Sequence, residues 1–196
     1  FGIEAVDLDN DRWVDLIVGN GHVDDFANEG IDQRMPTQVL RHLGRTFSLV
    51  DPSSNGPDDY FRINHITRCL ISCDLNLDGR VDIVTTELID PAALLINHSE
   101  TDHRWVSIEC VATATERSAV GTRVQVVGGG RPQIQTLDGA GGYLGRNEPV
   151  LHFGLGTWGQ PTVTLEVTWP DGSAETYRDL KVNTRHVLVQ SSASRR

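Results

Sequence analysis

The stretch Asp7-Leu-Asp9-Asn-Asp11-Arg-Trp13-Val-Asp15 recurs 67 residues later as Asp74-Leu-Asn76-Leu-Asp78-Gly-Arg80-Val-Asp82. Acidic or amide side chains occupy positions 1, 3, 5 and 9 of both copies. Carboxylates this close together repel one another unless a cation lies among them. Alternate spacing in a tight loop turns positions 1, 3 and 5 towards one centre, and hard oxygen ligands favour Ca²⁺. The repeat therefore predicts two calcium-binding loops.

The predicted ligands follow from the position of each residue in its loop. Position 7 would supply a backbone carbonyl and position 9 a further carboxylate, which together nearly complete a calcium shell. The predicted ligands are Asp7, Asp9, Asp11, Trp13 and Asp15 in the first loop and Asp74, Asn76, Asp78, Arg80 and Asp82 in the second. We therefore expect the chain to bind about two Ca²⁺ ions.

The loops differ from the helix-flanked calcium hand. That motif needs a bidentate Glu at position 12, where this chain has Val18 and Thr85. Short β-branched runs follow each loop, at 14–18 and 81–85, and they are typical of buried strands. The loops are therefore predicted to join strands. Asp- and Asn-rich hairpin turns without metal are the alternative, since both residue types are common in turns.

Composition limits the classes of function. The 196 residues carry a formal charge of −10, and seven of the 27 acidic residues lie in the two loops. We find no basic patch with interleaved aromatic residues, so nucleic-acid binding is not expected. The sequence contains no apolar run of about 18 residues, so no transmembrane segment is predicted. The chain begins at Phe1 without an initiator Met, and we expect it to be a piece of a longer protein.

The three cysteines are Cys69, Cys73 and Cys110. If the segment 68–73 is a strand, Cys69 and Cys73 lie about 13 Å apart, too far for a disulfide. They are predicted to be free thiols. The alternative is a zinc face formed by His65, Cys69 and Cys73 at helical spacing, which requires a helix running into the second loop.

Two regions differ in pattern. In residues 1–99 each loop joins two strands, and further strands are predicted at 37–43, 46–50 and 92–97. Four short strands per 60–70 residues is the period of a propeller blade, and two blades do not close a ring. Later segments alternate and are separated by turns, which predicts an antiparallel β-sandwich or barrel over 100–190. These segments are 105–112, 122–127, 133–137, 150–153, 162–169, 175–177 and 186–189. The tail 191–196 is predicted to be disordered.

Particular motifs in both regions resemble known families. The calcium loops with their following strands, entered by Phe1-Gly2-Ile3, resemble the FG-GAP or VCBS repeats of integrin-like propellers. The motifs of the second region resemble the ASPIC/UnbV domain of a cartilage acidic protein-like family. They are Ser118-Ala-Val120-Gly121-Thr-Arg-Val124, Phe153-Gly154-Leu155-Gly156 and Trp169-Pro170-Asp171-Gly172. Arg12 replaces the glycine that Gly79 supplies in the second loop, so it must accept left-handed backbone or the loop must relax.

The resemblance implies a calcium-loaded all-β protein that is extracellular, on the cell surface or periplasmic, and that binds or adheres to a protein or glycan. A carbohydrate-binding module, with Trp158 as the platform, or part of a polysaccharide-acting enzyme is the alternative. Trp158 folded over the edge of the sandwich is the structural interpretation of the same residue. We find no combination of nucleophile, base and orienting residue, so no catalytic residue is predicted. Open blade edges offer a route to a dimer.

Overall fold

The computed structural model describes residues 2–52 and 59–191, and these form an all-β protein. Short 3-10 helices occur at Ala27–Glu29 and Tyr60–Arg62. The strands of the first region are β1 (Gly2–Val6), β2 (Asp15–Gly19), β3 (Met35–Pro36), β4 (Gln38–His42), β5 (Phe47–Leu49), β6 (Asn64–His65), β7 (Thr67–Cys73), β8 (Asp82–Glu87) and β9 (Ala93–Leu95). Those of the second are β10 (Arg104–Val111), β11 (Arg123–Val127), β12 (Gln133–Thr136), β13 (Val150–Gly156), β14 (Thr162–Thr168), β15 (Ala174–Lys181) and β16 (Thr184–Val189).

The chain divides into two compact units. The first comprises Phe1–Leu8, Trp13–Ser99 and Ala140–Glu148. The second comprises Asp9–Arg12, Glu100–Gly139 and Pro149–Arg196. The tip of the first loop thus belongs to the second unit, and a later segment belongs to the first.

The first unit is built from two antiparallel sheets in which each loop joins neighbouring strands. One sheet has the order β1-β2-β4-β5 and the other β7-β8-β9. A small ribbon pairs β3 with β6. Ile17, Leu70 and Ile83 form the buried core of this unit. Each loop is therefore a hairpin connection, β1 to β2 and β7 to β8, as the sequence predicted.

The second unit contains a three-stranded sheet, β13-β10-β16, and a four-stranded sheet, β12-β11-β14-β15. All seven predicted strands form. The sheets do not close into a barrel, and their inward residues, with Phe153 and Trp169 the largest, make one core. The prediction of purely antiparallel pairing is wrong at one place, because β10 pairs with β16 in parallel.

Other predictions meet the structure in part. The strands expected at 37–43, 46–50 and 92–97 are confirmed as β4, β5 and β9. The segment 68–73 is a strand, which removes the helical face needed for the zinc alternative, and all three cysteines are free. Phe1 and the tail residues 192–196 lie outside the described residues, whereas Ser191 donates its backbone N–H to Glu175 at 2.8 Å. No described helix is long and apolar enough to cross a membrane.

Candidate metal centre

The two loops have left-handed backbone at the same two positions. Asn10 and its counterpart Leu77 have φ values of 59° and 58°. Arg12 and its counterpart Gly79 have φ values of 81° and 82°. Arg12 therefore accepts the left-handed geometry that normally favours glycine, and the first loop does not relax.

The acid at position 9 holds each loop closed in the same way. Asp15 Oδ2 accepts the backbone N–H of Leu8 at 3.1 Å, and Asp82 Oδ2 accepts that of Leu75 at 2.9 Å. The other carboxylate oxygen accepts a backbone N–H at 2.8 Å, from His42 at the end of β4 for Asp15 and from Asn97, two residues after β9, for Asp82. Both aspartates are buried. Each carboxylate oxygen retains a second lone pair, so this role is compatible with metal binding.

The carboxylates of the first loop lie close enough to share one ion. Asp7, Asp9 and Asp15 each offer an oxygen within 4.8 Å of the others. Two atoms that both lie 2.3–2.6 Å from a Ca²⁺ ion are at most about 5 Å apart. Among residues 2–52 and 59–191, these three form the one group of acidic, histidine or cysteine side chains that could hold a metal ion. The donor set and its spacing therefore fit Ca²⁺.

The second loop closes around hydrogen bonds to its own backbone. Asp74 accepts the N–H groups of Asp78 and Gly79 at 3.1 and 2.9 Å. Asp78 accepts the N–H of Arg80 at 2.9 Å and pairs with the Arg80 guanidinium at 2.5 Å. The amide of Asn76 donates to Asp78 at 2.9 Å. An ion entering this loop must therefore compete with the guanidinium for Asp78.

Electrostatics distinguish the acids of the second loop. Burial raises the pKa of Asp74, and the nearby charges of Asp78 and Asp82 raise it further, against hydrogen bonds from Gly79 and Asp78 that lower it. Burial also opposes ionisation of Asp78, but the hydrogen bonds from Arg80 and Asn76 and the charge of Arg80 lower its pKa. A cation among these acids would relieve the repulsion on Asp74.

The residues at position 7, predicted to offer backbone carbonyls, use their side chains elsewhere. The ring of Trp13 meets His42 edge-on at 4.7 Å between ring centres. Arg80 Nε donates to the carbonyl of Asn97 at 2.9 Å. Asn97 also donates its side-chain amide to the carbonyls of Leu8 and Val81, at 2.7 and 3.1 Å. Sequence reasoning missed His42 and Asn97, because the 67-residue offset that relates the two loops does not relate these two residues.

The tips of the two loops differ. Asn10 is 2% exposed, whereas Leu77 is 67% exposed. Asn10 accepts a hydrogen bond from His152 Nε2 at 2.7 Å. Arg12 donates to the carbonyls of Gly129 and Arg131, in the second case at 2.5 Å. Sequence reasoning missed His152 and Arg131 as partners of the loop, since both lie more than 100 residues away.

Trp158, the predicted sugar platform, is partly buried and packs against the core of the second unit. Its indole N–H donates to the carbonyl of Thr162 at 3.0 Å. A Cβ atom at Gly129 would lie 2.6 Å from the ring, so the Trp158 ring packs against this glycine turn. This geometry supports the packing interpretation of Trp158.

Comparisons with known proteins support part of the resemblance. Residues 112–195 match the family model described as ASPIC and UnbV. Cartilage acidic protein 1 of Xenopus tropicalis is 30% identical over 177 residues, which cover 86% of this chain and 25% of the relative. Cartilage acidic protein 1 of Mus musculus is 30% identical over 174 residues, with the same coverage. The chain thus spans about a quarter of the length of these curated relatives.

Proposed function

We propose that this chain is a calcium-binding interaction module in which Ca²⁺ ions in the loops 7–15 and 74–82 stabilise two FG-GAP/VCBS-type propeller blades. The convergence of Asp7, Asp9 and Asp15 within 4.8 Å carries the proposal. The matching φ values of the two loops support extending it to the second loop. Asp11 and Asp78, at position 5, and Asn76, at position 3, would complete the side-chain ligands.

The chain's own residues give each loop its shape. Asp15 and Asp82 tie the start of each loop to backbone N–H groups further along the chain, of His42 and Asn97, so hydrogen bonds hold the ligand positions. The bound ion would neutralise the clustered carboxylates, and the loop would lose less conformational entropy on binding because it is already folded.

The setting and the partner belong to the same proposal. Sites with three or four carboxylates bind calcium with micromolar to millimolar affinity, and calcium outside the cytoplasm fills such sites. We therefore place the protein outside the cell, on its surface or in the periplasm. Its partner is a protein or a glycan.

On the outer edge strand β5, Phe47 and Leu49 are exposed, which also favours edge pairing into a dimer. Light scattering over a concentration series distinguishes monomer from dimer.

Calorimetric titration with Ca²⁺ after chelator treatment tests calcium binding. We expect a stoichiometry near two, and none for the double variant Asp11→Ala/Asp78→Ala. Asp24→Ala is the matched control, because it removes one exposed acid outside both loops. Absence of binding by the intact chain at millimolar calcium would refute the proposal.

A further inference from the structure

A hydrogen-bonded chain of three side chains ends at the tip of the first loop. Asn10 Oδ1 lies 2.7 Å from His152 Nε2, and His152 Nδ1 lies 2.8 Å from Ser107 Oγ. Asn10 and Ser107 are 2% and 3% exposed, and His152 is partly buried between them. All three residues belong to the second unit.

The chemistry of the acceptor assigns the hydrogens. An amide oxygen only accepts, so His152 Nε2 carries the hydrogen donated to Asn10. In the neutral ring Nδ1 then accepts, and the Ser107 hydroxyl donates to it. Burial lowers the pKa of His152 to about 4, so the neutral form prevails near pH 7. The ring is thus held in one tautomer and one orientation.

Backbone groups on both sides of this contact are held too. His103 Nδ1 donates to the carbonyl of Asp9 at 2.8 Å. The backbone N–H of Gly156 donates to the carbonyl of Asn10 at 2.8 Å. These carbonyls lie between the predicted ligands Asp9 and Asp11, so the contacts restrict the backbone from which both ligand side chains project.

The second loop offers an internal comparison. Leu77 occupies the place of Asn10 with the same φ, but its apolar side chain offers no hydrogen-bonding group and is 67% exposed. The contacts at the tip of the first loop are therefore additions to a motif that folds without them. They stabilise one conformation of the empty loop, and pre-organisation of this kind raises affinity by lowering the ordering cost of binding.

We propose that His152 is a positioning residue for the first loop: its Nε2–H bond to Asn10 holds the tip in the calcium-binding conformation and makes this loop the tighter of the two calcium sites. The inference rests on the proposed function, that the loops bind calcium. His152 touches no predicted ligand side chain and acts through Asn10.

Two substitutions of His152 distinguish its hydrogen bond to Asn10 from its hydrogen bond to Ser107. Gln places an N–H group near the position of Nε2, whereas Asn reaches only the position of Nδ1. In an Asp78→Ala background, where the first loop alone binds, we expect His152→Asn to weaken calcium binding about fivefold to tenfold. His152→Gln should stay near the parent affinity. Calorimetric titration with Ca²⁺ measures both, and a general packing defect would affect the two variants alike.

Asn10→Gly provides a second route, because glycine accepts φ of 59° and the substitution removes the side chain that accepts from His152 Nε2. Asn10→Gly should weaken calcium binding by the first loop to the same extent as His152→Asn. This test remains available if His152→Asn does not fold. The matched control is His186→Gln, since His186 Nε2 bonds to the carbonyl of Lys181 at 2.8 Å, a contact that involves no residue of either loop. Parent affinity in Asn10→Gly, or equal losses in His152→Asn and His152→Gln, overturns the inference. Failure of the intact chain to bind calcium instead overturns the proposed function.

Discussion

Two copies of one nine-residue pattern share their left-handed backbone positions in this protein and differ in what surrounds them. In the first loop three carboxylates converge within 4.8 Å, and the buried tip residue Asn10 is bonded to His152. In the second loop Asp78 pairs with the guanidinium of Arg80, and the tip residue Leu77 projects into solvent. Both copies place left-handed backbone at the same two positions, where φ agrees within one degree.

The difference shows that repeated ligands do not make equal sites. Asn76 in the place of Asp9 removes one negative charge from the second loop. The Arg80 guanidinium adds a positive charge beside its remaining acids. Both changes reduce the attraction for a divalent cation. We therefore expect the first loop to fill with calcium before the second.

The largest expected effect is that of removing calcium from both loops. An ion that binds only the folded loop stabilises the fold by about 2.7 kcal/mol per site at a hundredfold excess over Kd. EDTA should therefore lower the free energy of unfolding by about 5 kcal/mol if both loops are loaded to that degree. Asp11→Ala and Asp78→Ala should each remove the stabilisation that calcium provides in one loop. Denaturant unfolding in calcium and in EDTA measures these losses.

The alanine variants also test the ordering of the two loops. At a calcium concentration that half-fills the chain, Asp11→Ala should cost more stability than Asp78→Ala, because the first loop is expected to be the occupied one. In EDTA Asp11→Ala should unfold close to the parent chain, as should Asp24→Ala in either condition, whereas Asp78→Ala should still lose the smaller contribution of its hydrogen bonds with Arg80 and Asn76. Equal losses with and without calcium would mean that Asp11 and Asp78 serve the turns through hydrogen bonds alone.

Acid should lower the stability of the fold through His152, which contacts the first loop. Its pKa is lowered from 6.5 to about 4 in the folded protein, so the unfolded chain binds the proton more readily. This contribution to stability is complete above pH 6.5 and falls as the pH falls towards 4. At pH 5 the loss amounts to about 2 kcal/mol. Unfolding in EDTA between pH 7 and 5 measures it without interference from calcium.

His152→Gln is the control for this pH dependence, since Gln keeps a donor to Asn10 and does not titrate. Its stability should fall less steeply than that of the parent between pH 7 and 5. A His152→Gln profile that parallels the parent's profile would show that another group accounts for the acid sensitivity.

Local features of this fold were predictable from the sequence. The 67-residue repeat located both hairpin loops, and alternation located the seven strands of the second unit. The position of Arg12 was singled out because Gly79 marks it in the second copy, and of the two outcomes that the sequence left open, the structure shows left-handed backbone. These features depend on residues close together in the chain, where turn chemistry and side-chain period determine conformation.

Features made by distant residues were not predictable. Ile3, aligned with the buried Leu70, is 58% exposed, while its neighbour Glu4 is buried. Glu4 is held there by Ser72 Oγ at 3.1 Å and by the amide of Asn147 at 2.8 Å. Asn147 lies 143 residues from Glu4, and nothing in the local pattern points to it. The bond between Asn10 and His152 escaped prediction for the same reason, and so did the parallel pairing of β10 with β16.

The smallest expected effect comes from exchanging the residues at position 3. Asp9→Asn gives the first loop the second loop's side chain, and Asn76→Asp does the reverse. One charge at a partly solvated calcium site is worth about 1 kcal/mol, or roughly fivefold in affinity. Calorimetric titration, with the other loop disabled by Asp78→Ala or Asp11→Ala, measures each change separately.

The two substitutions should change calcium affinity in opposite directions and by different amounts. Asp9→Asn removes a carboxylate that already lies within 4.8 Å of Asp7 and Asp15, so the first loop should lose the full effect. Asn76→Asp also removes the amide that donates to Asp78, while the Arg80 guanidinium remains paired with Asp78. Part of the added charge is therefore offset, and the second loop should gain less than the first loses. Equal and opposite changes would show that position 3 alone accounts for the difference, and that the guanidinium and the anchored tip contribute nothing to it.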